Sequence, residues 1–138
     1  MVDATLRWRI TVVDERDYSI SKDVTMQYMN KVYWGVGGEV TAASLSTLAN
    51  VTSAITGGGN SLQTSRGKTF TVTAGSGKYI YYIMPNSFGT AKFVVGGFEG
   101  GFDDLGTVGF TNGSGYQVTY RVYRSHRPNL GATTVVVS

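Results

Sequence analysis

His126 is the one histidine of this 138-residue chain, set in Arg124-Ser125-His126-Arg127-Pro128. A Ser/His/Asp nucleophile would have to be built on it, and a Cys nucleophile is excluded because the chain has no cysteine. Its cationic neighbours oppose protonation, and the segment reads as a turn, so a solvated loop histidine is expected and no catalytic residue is assigned. The same scarcity removes a Cys/His zinc site. The carboxylates fall as Asp14, Glu15 and Asp17, as Asp103 and Asp104, and singly at Asp3, Asp23, Glu39 and Glu99. A glycosidase needs two of them held across a sugar ring. Each cluster reads more simply as a charged turn, and no D-x-[DN]-x-[DN]-G calcium loop is present. No metal, no cofactor and no enzymatic activity are expected.

Two further strings invite a chemical reading. Val95-Gly96-Gly97-Phe98-Glu99-Gly100-Gly101-Phe102 superficially resembles a phosphate-binding glycine loop. It has no GK[ST] ending, and no helix is expected after it to hold an anion. Paired glycines between spaced phenylalanines predict a bulged or sharply bent strand that another backbone or ring can approach closely. Arg121, Arg124 and Arg127 with Tyr116, Tyr120 and Tyr123 could stack sugars or bases. Alternation places Tyr116 and Tyr120 with Val118 and Val122 in the core, which leaves Arg121 and Tyr123 as the exposed pair. Tyr33 and Trp34 are the other candidates for aromatic contact.

The elements that would carry these residues follow from a repeated period of two. Leu6, Trp8, Ile10 and Val12 alternate with polar residues, as do Val24, Met26 and Tyr28, then Phe70, Val72 and Ala74, then Tyr116, Val118, Tyr120 and Val122. Tyr79 to Met84 is apolar on both faces, as in a central strand covered twice or one that meets a partner subunit. Thr133 to Val137 is a shorter run of the same kind. Asn112-Gly113-Ser114-Gly115 predicts a hairpin turn joining Val108–Thr111 to Tyr116–Tyr123. Pro85 to Gly89 and Ala74 to Gly77 mark further turns. Leu45, Leu48 and Ala49 predict one short helix around 42–50, capped by Thr41 or Ser44 and ended by Asn50. Gly57 to Gly67 reads as a flexible loop. The fold expected is all-β, an antiparallel β-sandwich of jelly-roll or immunoglobulin-like topology, as a single domain over 1–138.

Composition agrees with a packed core and an unusual surface. Apolar residues make up 41% of the chain and charged residues only 15%, so Ser, Thr, Gly and Asn must supply much of the solubility. A net charge of +3 is too mild to imply a nucleic-acid partner. No apolar run approaches the roughly 18 residues that would span a bilayer. Met1-Val2-Asp3-Ala4 lacks the basic and apolar regions of an export signal, so neither membrane insertion nor export is expected.

Gly77-Lys78-Tyr79-Ile80-Tyr81-Tyr82-Ile83-Met84-Pro85, Phe88-Gly89-Thr90-Ala91, Gly96 to Phe102, and Tyr120-Arg121-Val122-Tyr123-Arg124-Ser125 followed by Leu130-Gly131 carry a resemblance. Together with Val32-Tyr33-Trp34-Gly35, they make the last three quarters of the chain similar to C-terminal regions of tailed-bacteriophage virion proteins, including tail-fibre and other appendage proteins. The resemblance implies a non-enzymatic β domain of the virion tail, assembled in the host cytoplasm. Its partners would be other virion proteins and further copies of itself, trimers above all, with a host-surface glycan or protein receptor as a further class. It transfers no site residues. A carbohydrate-binding module acting through exposed aromatics is the alternative.

Overall fold

The computed structural model describes residues 31–111 and 117–138. The strands expected at Leu6 to Val13 and Val24 to Tyr28 lie outside the described residues, as do the Asn112 to Gly115 turn and Tyr116. Among the described residues nine strands form two sheets. They are β1 (Lys31–Gly37), β2 (Thr56–Leu62), β3 (Lys68–Ala74), β4 (Tyr79–Pro85), β5 (Phe93–Val95), β6 (Phe98–Glu99), β7 (Phe102–Thr111), β8 (Gln117–Ser125) and β9 (Gly131–Val137). A five-stranded sheet runs β2-β1-β4-β8-β7 and a four-stranded sheet runs β3-β9-β5-β6, with every ladder antiparallel. The all-β sandwich expected from alternation is the fold observed. The β7–β8 pairing expected around the Asn-Gly turn is present too, Phe110 facing Val118 and Thr111 facing Gln117.

β4 is the central strand of the larger sheet and is covered on both sides by its own chain. Ile80, Tyr82 and Met84 enter the core between the sheets with Phe70, Val72, Phe93, Val135 and Val137. Tyr81 and Ile83 point the other way, into a second core with Val108, Val118, Tyr120 and Val122 beneath a helical cap that buries Leu48 and Val51. The Tyr81 hydroxyl donates to Gly38 O at 2.6 Å and accepts from Val40 N at 3.1 Å, which fastens the segment leading into the cap. Burial raises the phenol pKa of Tyr81 above its ordinary value.

Three expectations are corrected. The helix is not one run over 42–50: a 3-10 turn, Ser44–Ser46, precedes α1, Leu48–Ser53. Between them Thr47 is extended, its side chain accepting from Asn50 N at 3.1 Å while its backbone bridges to Gly109. A β-branched hydroxyl residue favours this capping conformation over continued helix. Thr41 serves the 3-10 turn instead, accepting from Ser44 N at 3.3 Å, and Asn50 lies inside α1.

Gly57 to Gly67 is not a loop throughout, because β2 pairs with β1 from Lys31↔Leu62 to Trp34↔Gly59, then shifts register at Val36↔Thr56. A Cβ at Gly58 would stand 2.1 Å from Trp34 O, so the glycines permit a backbone approach that any side chain would block. The C-terminal run is covered on one face only: Val135 and Val137 are buried, whereas Thr134 and Val136 are exposed.

Replacing Gly58 with Ala is expected to force β2 off β1 and lower stability by about 2 kcal/mol or more. Urea denaturation of the two proteins would measure it, and equal midpoints would refute the close-approach reading.

Candidate contact site beside the glycine hairpin

The glycine string builds a hairpin at the edge of the four-stranded sheet. β5 ends at Val95, Gly96 and Gly97 turn the chain with φ of 57° and 90°, β6 is only Phe98–Glu99, and Gly100 and Gly101 turn it again with φ of 87° and 84°. Four demands for positive φ within six residues are met cheaply only by glycine. Gly96 N donates to Thr134 O at 3.0 Å and Gly100 N to Phe93 O at 2.8 Å. The bent strand expected here is therefore two short strands joined by a tight turn at Gly96 and Gly97, with Gly100 and Gly101 leading into the longer β7. Phe98, flanked by residues without side chains, is left 79% exposed.

Beside the hairpin lies a cleft of about 380 Å³ with Val95, Phe102 and Leu130 on its apolar side and Asp103, His126 and Arg127 on its polar side. Phe98 is the Cα partner of Val95. Directly opposed residues of an antiparallel pair share a face, but the Phe98 ring is not among the residues that line the cleft. Phe102 rests on Phe93 with ring centres 4.2 Å apart and 9° between planes, and Phe93 meets Tyr123 edge-on at 4.9 Å. From there the contacts run on through Tyr82 and Phe70 to Trp34, so the cleft wall is the end of a file of aromatic rings crossing the whole inter-sheet core.

The loop carrying His126 and Arg127 is fixed by its backbone. His126 N donates to Gly101 O at 2.7 Å. The fully buried Ser125 accepts from Ile80 N at 2.9 Å and donates to Arg127 O at 3.0 Å. Asn129 adopts φ of 62°; its amide donates to Lys78 O at 3.1 Å and its side-chain oxygen accepts from Gly77 N. Ser125 Oγ is thus occupied by structural bonds.

His126 Nδ1 lies 3.1 Å from Asp103 Oδ2, a partner that the arginine-flanked sequence did not announce. Asp103 also receives Arg124 Nη2 at 3.4 Å, and Arg124 reaches Glu39 at 3.7 Å while its guanidinium lies 4.7 Å above the Tyr79 ring. Arg127 is exposed, and no carboxylate among the described residues pairs with it. Asp103 and Asp104, expected in a turn, are both in β7 beside a register shift.

No family model, curated protein or solved structure matches this chain. Its functional reading rests on its own residues.

Of the contact residues expected from sequence, Tyr123 is not exposed: it faces the inter-sheet core and lies among Phe93, Tyr82 and Ala91. Alternation along β8 separates two faces, and both are covered in this sheet. Arg121 is held by Asp104 at 2.6 Å and by Asn86 Oδ1 at 2.9 Å. Tyr33 and Trp34 are half-buried on opposite faces of β1, Tyr33 near Tyr120 with centres 6.2 Å apart and Trp34 stacked on Phe70 beneath Lys68 Nζ at 4.6 Å. Both border a second cleft of about 280 Å³ along Gly57, Gly58, Gly59 and Asn60. The four side chains thus form no single surface. Arg127 belongs to the basic and aromatic set noted in the sequence, whereas Phe98 is missed by sequence reasoning; its clue is its isolation among four glycines, which cannot cover it.

The hydrogen bond from His126 holds the Asp103 carboxyl below its ordinary value of 3.8, aided by the charges of His126 and Arg124 against some desolvation. A lowered folded-state pKa means a contribution that is complete above 3.8 and lost as pH falls through the depressed value. Asp103→Asn is therefore expected to reduce stability at neutral pH and to shrink the loss on acidification, read from urea midpoints at pH 6 and at about pH 3. Parallel curves for the two proteins would contradict this.

Proposed function

We propose that the chain is a non-enzymatic contact domain of a virion tail or tail fibre, joining copies of itself and other virion proteins. The observation that supports this best is the bare outer face of the four-stranded sheet. Thr69, Thr71 and Thr73 on β3 and Ala132, Thr134 and Val136 on β9 are all exposed, adjacent in register, and none is charged. Thr71 and Thr134 share a hydrogen bond of 3.1 Å. The outer face of the other sheet is covered by the segment carrying its own helix, whereas among the described residues nothing covers this one. A flat face of this kind, without the charges that keep exposed sheets apart, suits burial against an identical copy.

A second reading, glycan binding, is favoured by the cleft beside Tyr33 and Trp34, where aromatic edges adjoin Asn60 and a glycine backbone. Loss of glycan-array binding on Asn60→Ala would favour it.

Light scattering of the purified chain is expected to give the mass of three chains, and Thr134→Lys to reduce it to one without changing the far-ultraviolet spectrum. A native protein that stays monomeric as its concentration is raised to about 100 μM would defeat the self-association reading, since a stable assembly of standard interface size is formed well below that.

A further inference from the structure

We propose that the cleft between the glycine hairpin and the Ser125–Gly131 loop binds an acidic peptide segment of a partner protein, taking an apolar side chain against Phe102, Val95 and Leu130 and pairing a neighbouring carboxylate with Arg127. This rests on the contact reading but concerns a different surface from the bare sheet face.

Three observations carry the proposal. The apolar side of the cleft, formed by Val95, Phe102 and Leu130, is half-buried and still open. A guest side chain set against these residues gains from leaving water. The charge at the cleft is also asymmetric. Asp103 is engaged by His126 and Arg124, which leaves the Arg127 guanidinium as the exposed charge without a counterion among the described residues. A planar guanidinium with its donors free matches a carboxylate in two-pronged geometry.

The third observation is rigidity. The bonds from Ser125, His126 and Asn129 hold the Arg127 backbone in place before any ligand arrives, so little ordering entropy would be lost on binding. An apolar group beside an anion within one span of peptide is the ligand that satisfies all three. A polyanion such as nucleic acid would use the arginine but leave the apolar side dry of contacts.

The test is a titration of the isotope-labelled full chain, followed by backbone amide shifts, with the synthetic peptide Ac-Asp-Leu-Phe-Asp-NH2 and its lysine counterpart Ac-Lys-Leu-Phe-Lys-NH2. The acidic peptide is expected to move the Gly101, His126 and Gly131 amides, and the basic peptide to bind at least tenfold more weakly. Arg127→Glu, an exposed substitution that leaves the packing intact, is expected to invert that order. Leu130→Ala should weaken both peptides severalfold while keeping the order.

Equal response to the two peptides, no movement up to millimolar peptide, or shifts at these amides caused only by a single-stranded oligonucleotide would each overturn the proposal. Shifts that appear on raising protein concentration without peptide would overturn it as well, because the occupant would then be a second copy. A monomeric protein that still prefers the acidic peptide would sink the sheet-face assembly and leave the cleft standing.

Discussion

The arrangement depends on one constraint, the burial of β4 on both of its faces. A strand reading Tyr-Ile-Tyr-Tyr-Ile-Met from Tyr79 to Met84 has no side that water can solvate at low cost, so two layers must cover the sheet that contains it. The four-stranded sheet supplies one and the segment from Gly38 to Ile55 the other. Tyr81 makes the second layer specific, because its hydroxyl needs partners once buried and finds them in Gly38 O and Val40 N.

That constraint reaches the chain's surfaces. Since the helical cap is spent on the larger sheet, nothing in the described residues covers the outer side of the smaller one. The threonines of β3 and the Thr134 and Val136 of β9 therefore meet solvent as a neutral surface. At the opposite end of the inter-sheet core, the stacked rings from Trp34 to Phe102 finish at the cleft. Its wall is thus part of the core itself, and its shape is held by the same packing that holds the sheets together.

The hairpin beside it follows a different logic. Its glycines provide no packing, and its two-residue strand ends the sheet at an edge too short to recruit further strands. What it provides is placement: a large apolar side chain carried outward on backbone that turns twice within six residues. The adjoining loop is the converse, dense with hydrogen bonds from Ser125, His126 and Asn129, so that a mobile-looking Arg-Ser-His-Arg-Pro-Asn string is fastened at three points.

Alternation alone determined that Phe70, Val72 and Ala74 face inward, that Val118, Tyr120 and Val122 share a buried face, and that the result is a sandwich, while the apolar run from Tyr79 to Met84 fitted a central strand and a partner-covered one equally. These follow from the pleat, whose period of two is a local property of any strand. Tertiary structure alone decided what depends on the partner layer. Tyr123 is buried because its sheet is covered twice, and Gly57–Gly59 are strand because Trp34 lets a bare backbone lie against it. Helix begins only at Leu48 because Thr47, which bridges to Gly109, is extended and caps it, and Asp103 meets His126 because β7 and β8 are antiparallel neighbours. Periodicity encodes which side a residue takes; only the assembled layers determine what waits on that side.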